Sequence, residues 1–267
     1  RYNSILGESR NERHKMKLKA MLLGILTAGA LSAGEVSIAA AANTTYAFDE
    51  IKAEFAKLHP QTTLNVSLGA SGALSTQIKN GAPFDIFMAA DMKFADDLHK
   101  EGFATAPAKT YAKGKVAMFS VRGVDLSKGL GILKDPSVKT ISIANPKTAP
   151  YGTASVQAFQ KAGVYDEIKG KIVEAKSIGE ALSQALKASD VGFIAASAMY
   201  APKMAKDGCN GKPCKQGENF VLVDTKLYEP IAQGMVVLNR AKDNAEAKAF
   251  YDFILSDKGR AIFAKYG

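Results

Sequence analysis

The chain has 267 residues, which is enough to bury a core in one large domain or in two smaller ones. It carries 35 Lys and Arg against 26 Asp and Glu, a formal net charge of +9 at pH 7. Six of these basic and two of these acidic residues lie in residues 1–33, so the remainder carries only +5. Its lysines are scattered without interleaved aromatic residues, so the composition argues against a nucleic-acid surface.

The first predicted element is a secretory signal. In "MKLKAMLLGILTAGALSAGE" a basic start at Lys17 and Lys19 precedes an apolar run and small residues near Ala33. The apolar run is too short for a membrane-spanning helix, and the order of features is that of an export signal. We interpret residues 1–15 as lying upstream of the true start and expect the mature chain to begin near Gly34. A glycine rather than a cysteine there predicts a periplasmic product without a lipid anchor.

The first half of the mature chain alternates strand and helix patterns, which is typical of α/β layers. "EVSIAA" predicts a strand, and "TYAFDEIKAEFAKL" predicts a helix that ends before Pro60. "TLNVSL" alternates like a strand, and a short helix follows through "ALSTQIK". "FDIFMAA" then predicts a buried strand, and "DMKFADDLHKEG" predicts a helix with Asp91 as its N-cap.

The second half repeats the alternation. "KVAMFSV", "TISIA", "VGFIAA" and "NFVLV" predict strands, while "TASVQAFQKAG" and "SIGEALSQALKAS" predict helices. The tail "NAEAKAFYDFILSDKGRAIFAKYG" has the apolar periodicity of a helix. The pattern therefore predicts α/β layers throughout.

The two cysteines lie in the polar loop "DGCNGKPCKQGEN". In an exported protein this short spacing favours a disulfide between Cys209 and Cys214. A metal site is the alternative, but it would need further ligands, and beyond the signal the only histidines are His59 and His99.

Four predicted helix starts share a polar or small-residue turn. They lie in "AAAANTTYAF", "SLGASGALSTQ", "NPKTAPYGTAS" and "EAKSIGEAL". A helix start has unpaired N–H groups and a partial positive charge, so it is a natural place for an anion. Each turn alone also fits an ordinary N-cap. If all four faced one cleft, they would hold a small oxyanion without a Lys or Arg.

Several segments together resemble the periplasmic molybdate-binding proteins of ABC transporters. They are "AAAAN", "GASGALSTQIKNGAPFDIFMAAD", "IANPKTAPYGTASVQAFQKAG", "SIGEALSQAL" and "AKAFYDFILSDKGRAIFAKYG", in this order. The resemblance implies the type II periplasmic-binding-protein fold, with two α/β lobes, a hinge and a ligand cleft between the lobes. On this basis lobe 1 is expected to comprise residues 35–113 and 234–267, and lobe 2 residues 114–233. Crossing strands near "KVAMF" and "AQGMVVL" would form the hinge.

The resemblance also implies which residues contact the ligand. They are Asn43 after the first strand, Ser71 in the "GASG" turn, and the backbone N–H groups of Tyr151 and Ile178. Asn43 and Ser71 also fit a simple capping role. Many family members add a tyrosine hydroxyl where this chain has Ala195, and we expect the Tyr151 phenol or the Asn43 amide to replace that donor.

The implied function is capture of molybdate, and of the similar tungstate, for delivery to a membrane permease by a monomeric protein. No cofactor is expected, and the metal would be held only through its oxygen atoms, without direct ligands. Sulfate is the alternative oxyanion. The acidic residues Asp85 and Asp91 match the family motif, and we interpret them as structural because a carboxylate would repel the anion.

A secreted serine hydrolase using Ser71 is the alternative of another class. The "GASG" turn continues with Ala73 and so lacks the last glycine of a G-x-S-x-G nucleophile elbow. A nucleophilic serine also needs a base, and His59 and His99 both lie near predicted helix ends. The sequence therefore favours binding over catalysis.

Overall fold

The computed structural model describes residues 34–267, so the predicted secretory signal lies outside the described residues. In the described part of the chain, strands form two five-stranded sheets with helices packed against them. No helix in this part is long and apolar enough to cross a membrane.

The first sheet has the strand order β2-β1-β3-β10-β4. β1 runs parallel to β3, while β10 runs antiparallel to both β3 and β4. The strands are β1 (Gly34–Ala41), β2 (Thr62–Gly69), β3 (Ile86–Met88), β4 (Lys109–Gly114) and β10 (Ile231–Val237). The helices of this part are α1 (Thr45–Leu58), α2 (Ser71–Lys79), α3 (Met92–Lys100), α8 (Ala245–Leu255) and α9 (Asp257–Lys265).

The second sheet has the strand order β7-β6-β8-β5-β9. β6 runs parallel to β7 and β8, while β5 runs antiparallel to β8 and β9. The strands are β5 (Val116–Phe119), β6 (Ile141–Ala144), β7 (Ile172–Ala175), β8 (Val191–Ala195) and β9 (Phe220–Leu222). The helices are α4 (Pro150–Lys161), α5 (Tyr165–Ile168), α6 (Ile178–Lys187) and α7 (Pro202–Gly208).

The sequence missed two strands, β4 and β7. Both lie at an edge of their sheet, and both carry exposed residues, as in "KTYAKG" and "IVEA". An edge strand is covered on fewer sides than a central one, so its sequence lacks the apolar run that identifies a buried strand. The tail also differs, because it forms two helices separated at Ser256, whose hydroxyl caps α9.

The chain passes between the sheets twice. Only Lys115 separates β4 of the first sheet from β5 of the second, and the return runs from β9 to β10. The boundaries predicted for the two lobes stay a prediction. A disulfide joins Cys209 to Cys214 in the loop before β9.

Each sheet has apolar clusters of its own, but one cluster draws on both. It contains Ala41, Ala70 and Ala90, which follow or end strands of the first sheet. The same cluster contains Tyr151 and Ile178 from helices of the second. The strand ends of the two sheets therefore meet in a shared apolar contact.

Candidate functional site

Three of the four helix starts at the candidate site have no side-chain cap. The 3-10 turn Ala42–Thr44, α2 and α4 follow Ala41, Ala70 and Ala149, and none of these alanines can cap a helix. Ser177 caps α6, but its hydroxyl accepts only from the third helical residue, Glu180. The first backbone N–H groups at these starts are therefore not occupied by a side-chain cap, although the Gly72 N–H donates to the Thr148 carbonyl.

Asn43 lies in the turn directly after β1, and its side chain is 8% exposed. Its amide nitrogen Nδ2 donates to Oε1 of Gln233 at 2.9 Å. Its amide oxygen Oδ1 is buried and has no hydrogen-bond partner. Its backbone carbonyl accepts from the Ser197 hydroxyl in the second half of the chain at 3.0 Å. Asn43 therefore contacts elements of both sheets.

Ser71 is the first residue of α2 and is 1% exposed. Its Oγ accepts a hydrogen bond from the backbone N–H of Ala90, at 2.9 Å. Because the oxygen acts as acceptor in this bond, the hydroxyl hydrogen remains free to donate elsewhere. Next to it, the Gly72 N–H donates to the Thr148 carbonyl at 2.9 Å, which joins the "GASG" turn to the turn before α4.

Tyr151 is the second residue of α4, after Pro150, and is 2% exposed. Its backbone N–H belongs to the uncapped start of the helix. Its phenol points toward the link between the sheets, because a Cβ atom on Gly114 would overlap the Tyr151 hydroxyl. Burial raises the pKa of the Tyr151 phenol, so it stays protonated at neutral pH.

Ile178 opens α6 and is 6% exposed. It lines a small cavity together with Gly179, Asn43 and Ala195. Ala195 is the position at which the resemblance implied a missing tyrosine donor. The polar side chains in the lining of this cavity are Asn43, Tyr46 and Ser197.

The structure links the four predicted residues pairwise or through a neighbouring residue, by different contacts. Asn43 and Ile178 share the small cavity, and Asn43 and Tyr151 are both bonded to Gln233. Ser71 meets the start of α4 through the Gly72–Thr148 hydrogen bond. Their roles in ligand binding stay a prediction.

Two residues of this arrangement, Gln233 and Tyr111, were not predicted from the sequence. Gln233 is a buried residue of β10, and its Oε1 also accepts from the Tyr111 hydroxyl at 2.9 Å. Its Nε2 donates to the Tyr151 hydroxyl at 3.3 Å. The available signal was a single amide in the apolar run "IAQGMVV", since a buried polar group needs partners.

The two motif carboxylates are structural, as predicted. Asp91 accepts from the Phe94 N–H at 2.9 Å and so caps α3. Asp85 accepts from the Ser37 N–H at 2.7 Å and lies 3.1 Å from Nε of Arg240. Burial raises the pKa of Asp91, and its bond to Phe94 acts in the opposite direction.

The site has no cationic side chain buried with it. Among residues 34–267, Asp85 is the only buried Asp or Glu, and no Lys or Arg is buried in that range. The buried groups that remain for a ligand are therefore amide, hydroxyl and backbone N–H donors. Such donors suit an anion that keeps its charge and needs no proton transfer.

The two histidines considered as a base for Ser71 have other neighbours. His59 stacks on Phe55 and lies 3.8 Å from Glu246. The ring of His99 lies 3.2 Å from the carbonyl oxygen of Ala104. The geometry therefore offers no support for the hydrolase alternative.

Residues 36–267 match the family model of the bacterial extracellular solute-binding proteins. The molybdate-binding protein ModA of Azotobacter vinelandii is 38% identical over 244 residues, covering 91% of this chain and 92% of the relative. ModA of Rhodobacter capsulatus is 35% identical over 250 residues, covering 93% and 92%.

Among solved structures, the periplasmic molybdate-binding protein of Azotobacter vinelandii superposes with a TM-score of 0.78 at 30% identity. The match covers 87% of this chain and 97% of that one. The sulfate-binding protein SubI of Mycobacterium tuberculosis has a TM-score of 0.67 at 16% identity, covering 88% and 86%, which is a likeness of fold alone. The predicted two-lobed α/β fold is confirmed.

Proposed function

The chain belongs to the family of bacterial extracellular solute-binding proteins, in the branch of the molybdate-binding ModA proteins, and from this premise we propose that it binds molybdate. The bound anion is then delivered unchanged to the membrane permease of an ABC transporter. Tungstate, with nearly the same size and charge, binds in the same way.

One observation carries this proposal: at the junction of the two sheets, the turn Ala42–Thr44, α2 and α4 begin without a side-chain cap or a charged side chain, and Asn43, Ser71 and Tyr151 are buried there. A hydrogen bond from a neutral donor to a charged group contributes about 1.5–3 kcal/mol. Several such bonds in a cleft that excludes water hold a dianion without a counter-cation. A site of this kind discriminates among oxyanions mainly by size.

The contacts we propose are the Asn43 amide, the Ser71 hydroxyl and the backbone N–H groups of Tyr151 and Ile178. Asn43 Nδ2 uses one hydrogen for Gln233 and keeps the second for the ligand. We assign the donor that replaces the missing tyrosine to Asn43, because Asn43 shares a cavity with Ala195 while the Tyr151 phenol points toward Gly114.

The same proposal places the mature protein in the periplasm as a monomer, exported by the predicted signal and carrying no lipid anchor. It has no catalytic step and no resident cofactor. The family itself, extracellular solute-binding proteins, is consistent with a location outside the cytoplasmic membrane.

Titration calorimetry of residues 34–267 with molybdate, tungstate, sulfate and phosphate tests the ligand. We expect heat and saturation with molybdate and tungstate, and weak or no binding of the smaller sulfate and of phosphate. Saturation with sulfate and no heat with molybdate would replace the proposed ligand by the sulfate alternative.

Single substitutions test the contacts. Asn43→Ala and Ser71→Ala each remove one donor, so each is expected to weaken molybdate binding about tenfold or more. Ser75→Ala is the matched control, because Ser75 is a buried serine one turn further along α2. Equal affinities in wild type and both donor variants would remove these residues from the site.

A further inference from the structure

We propose that Gln233 is a positioning residue: it orients the Asn43 amide toward the bound oxyanion and links that orientation to the helix that supplies the Tyr151 N–H. This inference rests on the proposed function. Gln233 is 3% exposed and lies in β10, beside a shift in the pairing register with β4.

Each end of the Gln233 amide has a distinct set of partners. Oε1 accepts from Asn43 Nδ2 at 2.9 Å and from the Tyr111 hydroxyl at 2.9 Å. Nε2 donates to the Tyr151 hydroxyl at 3.3 Å. One side chain therefore joins the turn after β1, the edge strand β4 and the start of α4.

With Gln233 in this orientation, its Oε1 determines the orientation of the Asn43 amide. If the Asn43 amide were turned over, its Oδ1 would face Oε1 of Gln233, and two acceptors would oppose each other. The turned amide is thus disfavoured even though Oδ1 is left without a partner as it stands. Gln233 keeps the nitrogen of Asn43 in place, so that one N–H binds Gln233 and the second N–H is available to the anion.

The other end of Gln233 carries the link to the second sheet. The Tyr151 hydroxyl and Nε2 of Gln233 both lie against the backbone of Gly114, where a Cβ atom would overlap them. Gly114 ends β4, one residue before Lys115 crosses to the second sheet. A rotation of α4 relative to the first sheet therefore moves the Tyr151 hydroxyl against Gln233. Because Gln233 is also bonded to Asn43, the same movement shifts the Asn43 amide.

The Tyr111 hydroxyl extends the arrangement toward Ser71. It lies 3.1 Å from the carbonyl oxygen of Ala89, so its hydrogen is shared between this carbonyl and Gln233. The next residue, Ala90, donates its N–H to the Ser71 hydroxyl oxygen. Both side-chain donors proposed for the ligand are thus held from the same part of the first sheet.

A purely structural glutamine would stabilise the fold without affecting Asn43 in particular. A double-mutant cycle separates the two roles. Gln233→Met keeps the length of the side chain but removes every hydrogen bond, and Asn43→Ala removes the residue through which Gln233 would act. Molybdate affinity is measured by calorimetry for the wild type, both single variants and the double variant.

If Gln233 acts through Asn43, we expect each single variant to bind molybdate about tenfold more weakly and the double variant to be no weaker than Asn43→Ala. Losses that multiply to about a hundredfold in the double variant would overturn the proposal. So would an unchanged affinity in Gln233→Met. Absence of molybdate binding by the wild type would instead contradict the proposed function, so the two failures are distinguishable.

A second variant, Gln233→Glu, makes the role of this position measurable as a pH dependence of molybdate affinity. It also replaces the methionine variant if that variant folds poorly. A carboxylate still accepts from Asn43 and Tyr111, but it adds negative charge beside the dianion. Protonation at lower pH restores a neutral group. The side chain lines a cleft of about 230 Å³.

The expected result for Gln233→Glu is an affinity for molybdate that falls at least tenfold as pH rises through the titration of the new carboxyl group. The wild type should show no such step. The titratable groups that line the same cleft are Tyr111, Lys113, Lys115, Tyr151, Tyr266 and Arg260. The wild type and the Gln233 variants share these titratable groups. Any additional pH dependence of molybdate affinity in Gln233→Glu therefore comes from residue 233.

The matched control is Gln157→Glu. Oε1 of Gln157 accepts from the Glu229 N–H at 3.0 Å, so a carboxylate there keeps the acceptor without touching the site. We expect Gln157→Glu to retain the affinity and pH profile of the wild type. If Gln233→Glu does the same, Gln233 does not position the ligand donors.

Discussion

Two groups of helix starts in this molecule are built differently. α3, α8 and α9 begin after Asp91, Asn244 and Ser256, whose side chains accept hydrogen bonds from the first turn. α2 and α4 begin after Ala70 and Ala149, which cap nothing. The starts of α2 and α4 meet between the sheets, where the Gly72 N–H donates to the Thr148 carbonyl.

The difference indicates that some helix starts contribute to stability and others to ligand binding. A side-chain cap stabilises a helix by about 0.5–2 kcal/mol. An alanine in its place at a buried start therefore lowers the free energy of unfolding by a similar amount. That cost is offset if the free N–H groups serve a ligand. We therefore expect substitutions at the starts of α3, α8 and α9 to change stability and substitutions at the starts of α2 and α4 to change binding.

The largest expected effect comes from adding a cap at the site. In Ala149→Asp the carboxylate would accept from the N–H of Tyr151 or Gly152, the second and third residues of α4. This competes with the ligand for the Tyr151 N–H and places a like charge beside it. We expect molybdate affinity measured by calorimetry to fall more than about a hundredfold.

Ala149→Asn separates competition from charge. It adds a neutral cap of the same size, so we expect a smaller loss, about tenfold, by the strength of one hydrogen bond to a charged group. Thermal unfolding of both variants shows whether they are folded. Equal affinity in the wild type and Ala149→Asp would mean that this helix start does not face the ligand.

The next effect concerns the contact between the uncapped starts. A Cβ atom at residue 72 would lie 2.9 Å from Cζ of Phe94 and 3.1 Å from Cα of Thr148. Gly72→Ala should therefore push the two turns apart and weaken the bond from its N–H to the Thr148 carbonyl. Overpacking costs about 1–3 kcal/mol, and we expect molybdate to bind about tenfold more weakly.

Gly131→Ala is the control for this prediction, because a Cβ atom there would meet nothing within 4 Å. Its affinity should equal that of the wild type. A Gly72→Ala protein that bound molybdate normally would show that the approach of the two turns is not needed for binding.

At a capped start we expect the opposite result. Asn244 accepts from the N–H groups of Glu246 and Ala247 at 3.0 and 3.1 Å. Asn244→Ala should lower the free energy of unfolding by about 1 kcal/mol, measured by chemical denaturation. Its molybdate affinity should stay unchanged. A loss of affinity would contradict the expectation that this start contributes to stability and not to binding.

The smallest effect is a pH dependence at Asp91. Burial raises the pKa of its carboxyl group, so the folded chain binds a proton there more readily than the unfolded chain. This contribution to stability is present at low pH and is lost as pH rises from the ordinary value of 3.8 through the raised one. Asp91→Asn keeps an acceptor for Phe94, and its unfolding free energy should lack this decline.

Sequence patterns predicted the central strands and most helices because these elements carry strong periodicity. "EVSIAA" and "VGFIAA" are buried runs, and α1 ends at Leu58, before the predicted stop at Pro60. Edge strands β4 and β7 were missed because solvent faces part of them. The tail was interpreted without a break, since a cap at Ser256 alters only the local backbone and leaves the apolar periodicity intact.

The candidate site was predicted only in part, for a related reason. Local turn chemistry pointed to Asn43 and Ser71, but Gln233 is 190 residues from Asn43 along the chain, and only the sheet order brings them together. No periodicity of the sequence encodes such a contact. The same holds for the bond from Gly72 to Thr148.

The lack of a buried Lys or Arg among residues 34–267 also determines how the protein would respond to ionic strength. Dissolved ions screen exposed charges beyond about 8 Å at 0.15 M, but they act little on short bonds inside a closed cleft. Added electrolyte should thus slow the approach of an anion to the mildly basic surface while leaving its dwell time nearly constant. The bound anion would then be released at a similar rate at low and at high salt concentration.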